Sequence, residues 1–388
     1  ANTTISKLDI TLCPQIDEIN IAGTSNLNTL SLNACQNLRI LNMEGFKSPN
    51  YNVLNLSTCP NIEKLHLSGT TNLTKITFAE SGTRLKLLDI SNSSIASARF
   101  GQNVDFPNYL DLGKFNLENV KFTNNNQIQH IKNIDYTGSG DKTFTNCANL
   151  HTIECKQNGK LKLTGGLNQT FYGCKNLTGI PSQIDLSAST SSSEAFAGCQ
   201  KITMAQAKMI MDSVGNTGLN SGVHWRFFNG CCKRENGRVV SGISGVLPAN
   251  FFENAQSLTG MSYFFSGCDI QGQLPANLLQ PMKNNLTTIE YAFHGQTNIT
   301  GNIPSTFFHN LTKLNAINNA FEGCSNLSGS LSTGLFRDLT ELKSAWTTFS
   351  GCKNLVGRIP EDLFIYNTKL QDCSSFFSGC SGLVGQIP

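Results

Sequence analysis

The residues of this chain best suited to chemistry are its fourteen cysteines. Thiols can pair as disulfides, bind zinc, act as nucleophiles or fill apolar space. No C-x-x-C pair occurs, and most of the cysteines recur at one position per repeat of a longer pattern. This regularity favours a ladder of buried free thiols that bond weakly to loop backbone. The predicted ladder positions are Cys13, Cys35, Cys59, Cys147, Cys174, Cys199, Cys231, Cys268, Cys324, Cys352 and Cys380.

One replacement within the ladder supports the packing interpretation. Gln296 takes the place of the cysteine in a single repeat. A disulfide framework or a metal site would not tolerate that exchange, whereas a packing ladder would. Cysteines also occur off the ladder, at Cys155, Cys232 and Cys373. Because Cys232 directly follows a ladder cysteine, redox or metal reactivity of this adjacent pair stays open.

Patterns typical of catalysis are few. The stretch GSGDKT at Gly138–Thr143 lacks the G-x-x-x-x-G-K-[ST] spacing of a phosphate-binding loop. His151 and Cys155 would share one face of a strand, but two ligands do not make a zinc site. Three aspartates at a middle strand position could form an acid pair or a calcium site, yet they are far apart in repeat number: Asp9, Asp89 and Asp111. We therefore predict no catalytic residue, no metal and no cofactor.

Composition restricts the class of partner. The net charge of the 388-residue chain is +3, and only 14% of its residues are charged. A protein without a basic run is poorly suited to nucleic acid, because it cannot neutralise phosphates. No apolar run reaches the roughly 18 residues of a membrane span. The chain starts and stops inside a repeat, which we interpret as a fragment or mature form whose caps lie elsewhere.

The elements that must position these residues form two kinds of repeat. Over residues 1–140, apolar–polar–apolar triplets such as Leu41-Asn42-Met43 recur about every 11 residues. Cysteine and threonine alternate after successive triplets, so the repeat is about 22 residues and should carry a sheet on each of two sides.

Over residues 141–388 the repeat lengthens to 25–28 residues, with irregular insertions near 200–250 and a helix predicted at 203–214. Leu286 to Phe293 reads as a strand, and proline-led segments such as 303–314 suit a short helix or 3₁₀ turn. Five phenylalanines spaced 28 residues apart should stack: Phe265, Phe293, Phe321, Phe349 and Phe377.

These motifs resemble leucine-rich repeats. The stretch MSYFFSGC at Met261–Cys268 is similar to the cysteine-and-phenylalanine repeats of BspA-like surface proteins of Bacteroidetes. Segments such as Leu355–Pro360 also resemble the plant-type variant, but the preceding LxxLxLxxN strand of that type is missing. The resemblance implies one continuous right-handed α/β solenoid, strand-rich in its first third and strand plus short helix or 3₁₀ turns after it. It also implies an extracellular or cell-surface protein, with a lipid anchor in a segment outside this sequence as one option.

Binding residues are expected where strand side chains point outward. In an apolar–x–apolar strand the middle residue faces away from the core, and stacked turns make such residues a strip. In the late repeats this strip consists of Ser262, Glu290, Asn318, Trp346 and Ser374. An exposed tryptophan would suit a protein hot spot or stacking on a sugar ring. Alternatively, the register shifts locally and Trp346 packs inward.

The function expected from these observations is that of a non-catalytic, monomeric surface or secreted binding module. The leading interpretation is protein–protein contact or adhesion to host cells or matrix. The alternatives are a glycan-binding surface protein of a polysaccharide-using bacterium and a structural scaffold within a longer chain. A cluster of exposed aromatic residues on one face would favour the glycan, but from the sequence only Trp346 and Trp225 qualify.

Overall fold

A computed structural model of the chain describes residues 5–81, 84–100, 109–113, 115, 117–221 and 224–387. The chain divides into two compact units. Unit 1 comprises Ala1–Leu163 and Gly173–Ile184, and unit 2 comprises Thr164–Tyr172 and Asp185–Pro388. Each unit is built from stacked turns whose short strands pair in parallel with the equivalent strands of neighbouring turns.

Unit 1 carries strands on two sides, as the 22-residue pattern predicts. The strands are β1 Lys7–Asp9, β2 Glu18–Asn20, β3 Thr29–Ser31, β4 Ile40–Asn42, β5 Val53–Leu56, β6 Lys64–His66, β7 Lys75–Phe78, β8 Leu87–Asp89, β9 Ser97–Phe100, β10 Tyr109–Asp111, β11 Asn119–Lys121, β12 His130–Ile134, β13 Tyr136–Ser139 and β14 Thr152–Cys155. From β4 to β9, successive strands alternate between a five-stranded sheet of order β11-β8-β6-β4-β2 and a six-stranded sheet of order β14-β12-β10-β9-β7-β5, while β1 pairs with β3. Two further strands, β15 Leu161–Gly166 and β16 Ile184–Asp185, lie where the chain passes from one unit to the other.

The register of these strands stacks equal residues on one another and forms the core of unit 1. Leu41 pairs with Leu65, and Leu65 pairs with Leu88. All three side chains are fully buried. Burying one leucine contributes about 1.5–3 kcal/mol relative to leaving it in water, so most of the stability of a turn depends on its neighbours.

Unit 2 has fewer regular strands and more turns. Its elements are β17 Ser189–Ser191, the helix α1 Met204–Val214, β18 Cys232–Glu235, β19 Arg238–Gly242, β20 Ser244–Val246, β21 Asp269–Gln271, a 3₁₀ helix at Gln280–Met282, β22 Ser328–Gly329, β23 Asn354–Arg358 and β24 Gly382–Val384. Strands β22, β23 and β24 form one sheet, and β18 pairs with β19 as an antiparallel hairpin in the predicted irregular region. The proline-led segments fold as consecutive turns.

The helix α1 forms where the sequence predicts it. Thr203 caps its N-terminus, and the side chains of Thr203 and Gln206 exchange hydrogen bonds with each other's backbone N–H groups as a capping box. The buried face consists of Ala207, Ile210, Met211 and Val214. Within the described residues, no helix combines the length and apolar character that crossing a bilayer requires.

The prediction of a strand from Leu286 to Phe293 is wrong. Only Thr288 forms a parallel bridge, with the equivalent residues of the turns on either side, and the chain then bends because Tyr291 has a positive φ of 55°. The backbone N–H groups of Ile289, Tyr291 and Phe293 still donate to carbonyls of the following turn. Turn-to-turn hydrogen bonding therefore continues through this segment without extended strand geometry.

Candidate functional site

The ladder cysteines of unit 2 pack against the phenylalanine backbone of the preceding turn. The Sγ atom of Cys324 donates to the carbonyl of Phe293 at 3.2 Å, and Cys352 and Cys380 repeat this contact one and two turns on. Cys199, Cys231 and Cys268 make the same bond. Burial raises the pKa of Cys324 to about 12. Such a thiol stays protonated at neutral pH, so it is poorly suited to nucleophilic attack or metal binding.

Gln296 fulfils the role of a ladder cysteine with an amide. Its Nε2 donates to the carbonyl of Phe265 at 2.8 Å, and its Oε1 accepts from the N–H of Ile270 at 2.8 Å. The phenylalanines beside the ladder stack as rings; Phe293 and Phe321 have centroids 5.4 Å apart and are inclined by only 4°. The ladder therefore selects a donor that reaches one carbonyl, and it does not require sulfur.

In unit 1 the prediction of a single cysteine ladder is wrong, because two columns exist on opposite sheets. Cys147 and Cys174 donate to carbonyls of Phe122 and Phe144, and Asn125 makes the equivalent contact to the carbonyl of Ile90. This column follows the strands of the five-stranded sheet. The early cysteines, Cys13, Cys35 and Cys59, follow β1, β3 and β5 on the other side.

Cys13 departs from the predicted burial. Its side chain is exposed, whereas Cys35 and Cys59 are buried and lie 3.9 Å and 3.7 Å from the carbonyls of Ile10 and Leu32. Each ladder thiol is covered by the turn before it. Cys13 belongs to the first turn that the structure describes, so no such cover is present among the described residues.

The predicted binding strip of the late repeats is only partly at the surface. Ser262 and Asn318 are 1% and 5% exposed, so the prediction of an outward position is wrong for both. Ser374 is exposed, and Glu290 and Trp346 are partly exposed. The alternative in which Trp346 packs inward is also wrong, because Ala345 fills the interior position instead.

The residue after each strip position explains this difference. In successive turns that residue has a left-handed backbone, with φ of 55° at Arg226, 56° at Tyr263 and 55° at Tyr291. The column continues at Asn319, Thr347 and Ser375. A left-handed residue turns the chain, so the strict alternation of inward and outward side chains is lost there. Tyr263 and Tyr291 are partly exposed, whereas Asn319 is buried. No common residue type marks this position, so sequence reasoning had no signal for it.

Four aromatic side chains from the two columns meet on the surface of unit 2, and we call Trp225, Tyr263, Tyr291 and Trp346 the aromatic row. The ring centroids are 5.9 Å apart from Trp225 to Tyr263, 4.2 Å from Tyr263 to Tyr291, and 6.2 Å from Tyr291 to Trp346. The two tyrosine rings are parallel to within 5°. Trp225 is 45% exposed. The row is therefore an accessible platform that extends over several turns.

Charged groups border both ends of the aromatic row. The guanidinium of Arg226 lies 5.5 Å from the ring of Trp225 and 5.2 Å from that of Tyr263, and it pairs with the carboxylate of Glu194 at 3.3 Å. At the other end, Glu290 accepts from Asn318 Nδ2 at 2.6 Å. Burial, the neighbouring Tyr263 and two nearby carboxylates together raise the pKa of Tyr291 to about 12.

Glu322 completes the acidic side of the row. Its Oε2 accepts from the Nδ2 of Asn319 and lies 3.6 Å from the Nε2 of His294. The ring of His294 meets Tyr291 edge-on, with centroids 5.6 Å apart. This end of the row therefore combines aromatic surface with two carboxylates, Glu290 and Glu322.

Two buried polar atoms beside the row have no hydrogen-bond partner. They are Ser262 Oγ and Asn319 Oδ1, two of five such side-chain atoms among the described residues. An unpaired buried polar group costs about 1–3 kcal/mol, and native proteins keep few of them.

His224 and His151 each contact neutral groups. His224 is fully buried between the hydroxyls of Ser192 and Thr259, each 3.2 Å from one ring nitrogen, and burial lowers its pKa to about 4. His151 Nδ1 contacts the carbonyl of Asn149 at 2.7 Å. Across the described part of the chain, no group of three or more His, Cys, Asp or Glu side chains could hold a metal ion.

Comparison with known proteins gives similarity only at the level of solved structures. No family model matches the chain, and neither does any curated protein. An internalin from Listeria monocytogenes is 13% identical over 92% of this chain and 86% of its own, with a TM-score of 0.33. A leucine-rich repeat protein from Leptospira interrogans is 13% identical over 88% and 93%, with a TM-score of 0.32. The leucine-rich repeat ectodomain of a plant membrane receptor kinase from Arabidopsis thaliana is 15% identical over 90% and 46%, with a TM-score of 0.30.

In both units, short parallel strands repeat turn by turn over a leucine- and phenylalanine-rich core. By that architecture each unit is a parallel-strand solenoid.

Proposed function

We propose that this chain is a non-catalytic binding module and that the aromatic row of unit 2 contacts a protein partner. The row itself is the observation that supports the proposal. Tryptophan, tyrosine and arginine are the residues most enriched at energetic hot spots of protein interfaces, and here they stand together on one surface. Thr347 and Ser375 continue the same column, and their side chains are partly exposed and exposed, respectively, and able to form hydrogen bonds.

A glycan is the second candidate, because the aromatic row adds Tyr263 and Tyr291 to the two tryptophans that the sequence offered. The faces of Tyr263 and Tyr291 are, however, stacked on each other at 4.2 Å, so each covers one face of the other. A sugar ring needs an open aromatic face, and the two tryptophans are better placed to offer one. Protein contact uses ring edges and faces alike, so it ranks first. A scaffold role within a longer chain remains the third candidate.

The biological setting is proposed from the resemblance to BspA-like repeats. We propose a secreted or surface location, with adhesion to host proteins, matrix or other cells as the role. We also propose that the protein acts as a monomer and that its partner is not a nucleic acid, since few of its residues are charged.

The test is a binding screen of the purified protein against displayed peptides, host matrix proteins and glycans. The affinity for protein ligands should fall at least about tenfold, or be lost, in the Trp225→Ala and Trp346→Ala variants, because hot-spot truncations cost about 2 kcal/mol or more of binding free energy. Tyr366→Ala is the matched control, since Tyr366 is also 45% exposed but lies in a proline-led segment. Protein ligands whose affinity is the same for all three variants would contradict the proposal.

A further inference from the structure

We infer that the partner of the aromatic row is a basic protein segment, and that one of its arginine or lysine side chains enters between Tyr291, Trp346, Glu290 and Glu322. This inference rests on the proposed protein-binding function. It specifies the chemistry of the partner from the charges, ring contacts and unpaired atoms at this end of the row, which we call the acidic end.

The protein itself contains a filled version of the same arrangement. At the other end of the row, the Arg226 guanidinium lies over the rings of Trp225 and Tyr263 and pairs with the Glu194 carboxylate. A cation over aromatic faces beside a carboxylate is favourable because the ring quadrupole and the negative charge both attract it. Arg226 therefore shows that aromatic rings beside a carboxylate, in this geometry, hold a cationic side chain.

The acidic end has the same components without the cation. Tyr291 and Trp346 form an edge-to-face pair at 6.2 Å, and no lysine or arginine of the described residues lies over either ring. Glu290 and Glu322 are partly exposed, and within the described chain neither pairs with a lysine or arginine. The excess negative charge here is complementary to a basic partner.

The hydrogen bonds of the two carboxylates leave room for a further donor. Glu290 receives only neutral donors, from Asn318 Nδ2 at 2.6 Å and Thr288 Oγ1 at 3.2 Å. Glu322 receives Asn319 Nδ2 and lies near His294. A carboxylate has about four lone-pair positions, so each can still accept an incoming N–H group.

The unpaired oxygen of Asn319 indicates that the missing group is a donor. Asn319 is 3% exposed, its amide nitrogen is used on Glu322, and its Oδ1 has no partner. A carbonyl oxygen can only accept hydrogen bonds. A guanidinium presents five N–H donors in a planar fork, so it can bond to the Glu322 carboxylate and the neighbouring Asn319 Oδ1 together. An acidic or purely apolar partner would leave Asn319 Oδ1 unpaired.

The experiment measures binding of short labelled peptides by fluorescence anisotropy at low and at high salt. The peptides share one glycine–serine frame and differ only in carrying arginine, lysine, glutamine or glutamate at the same positions. The proteins are the full chain, the double variant Glu290→Gln/Glu322→Gln, and Trp346→Ala. Glu361→Gln is the charge control, because this glutamate is highly exposed and lies outside the row. A neutral glucan oligosaccharide serves as the glycan probe.

The arginine peptide is expected to bind best, and its affinity should fall at least about fivefold in the double variant and decrease with salt. Glu361→Gln should bind like the unaltered protein. Equal binding of the glutamine peptide, full affinity in the double variant, or binding of none of the peptides overturns the inference about a basic segment. None of these three results tests protein binding through the tryptophans, which the binding screen measures separately. Oligosaccharide binding that Trp346→Ala abolishes, without peptide binding, overturns both in favour of a glycan.

Discussion

Acid should destabilise this protein through one buried histidine, His224. Its ring is fully buried, and its two nitrogens face the hydroxyls of Ser192 and Thr259 at 3.2 Å each. Hydroxyl groups can accept a hydrogen bond from one nitrogen and donate to the other, so they suit a neutral imidazole. Burial is the main reason that the pKa of His224 falls from 6.5 to about 4.

The magnitude follows from the difference between these two pKa values. Above pH 6.5 the histidine is neutral in both folded and unfolded states, so its contribution to stability is complete. Between pH 6.5 and 4 the unfolded chain binds a proton that the folded chain does not, and stability falls by about 1.4 kcal/mol per pH unit. The total loss on reaching pH 4 is about 3 kcal/mol.

The assay is urea unfolding of the unaltered protein and His224→Gln at several pH values between 7 and 4. Carboxylates titrate in both proteins, so the difference between the two pH profiles isolates the histidine. The unaltered protein should lose more stability, and amide exchange should accelerate first in the turns that contact His224 because repeat proteins unfold locally. His309→Gln, at a largely exposed position, is the control and should keep the full pH dependence. Parallel profiles for the unaltered protein and His224→Gln would refute the reasoning.

Three further predictions concern the ladder and the left-handed column. Under native conditions an alkylating reagent should label Cys13 rapidly, whereas the buried ladder thiols such as Cys324 and Cys352 should react only after denaturation. Peptide mass spectrometry shows which cysteines carry the label before and after denaturation. Gln296→Ala should cost about 2–4 kcal/mol, because it removes the acceptor of the buried Ile270 N–H, takes one of two donors from the Phe265 carbonyl and opens a cavity. Gln296→Cys should cost less, because a thiol restores the bond to Phe265; equal losses in denaturant unfolding would contradict this. The Thr347→Gly variant should be more stable than the Ser350→Gly variant by about 1 kcal/mol, because only Thr347 has a positive φ, of 57°. A thermal melt that ranks the two variants in reverse would show that the backbone at Thr347 is not strained.

The strand pattern of unit 1 could be predicted closely from its sequence. Apolar–polar–apolar triplets at 11-residue spacing indicated which strands share a sheet, and Asn42, His66 and Asp89 indeed occupy equivalent positions in β4, β6 and β8. Periodicity succeeds there because one face of each strand is buried, so a shift by one residue would expose the whole apolar set.

The binding surface of unit 2 could not be predicted in the same way. An alternating pattern assumes extended backbone, but Tyr263 and Tyr291 have left-handed backbones, so alternation no longer decides which side chains of these turns are exposed. The residue type at the turn gives no warning, because tyrosine, asparagine, threonine and serine all occupy it. Likewise, cysteine spacing could not show that Cys59 and Cys147 belong to different columns, since the substitution by Asn125 hides the second column.

The hydrogen bonds between the turns of unit 2 have a consequence for its electric field. The N–H groups of Ile289, Tyr291, Phe293 and Gly295 all donate towards the later turn, and bonds of this direction outnumber the reverse ones, such as those from Asn315 and Lys343. Peptide dipoles that point the same way add, as they do in a helix, whereas they largely cancel in a sheet. The stack of turns therefore has a net dipole whose positive end lies at the later turns. Relative to the direction of the chain, this polarity is opposite to that of an α-helix, and it favours anions beside the later turns and cations beside the earlier ones.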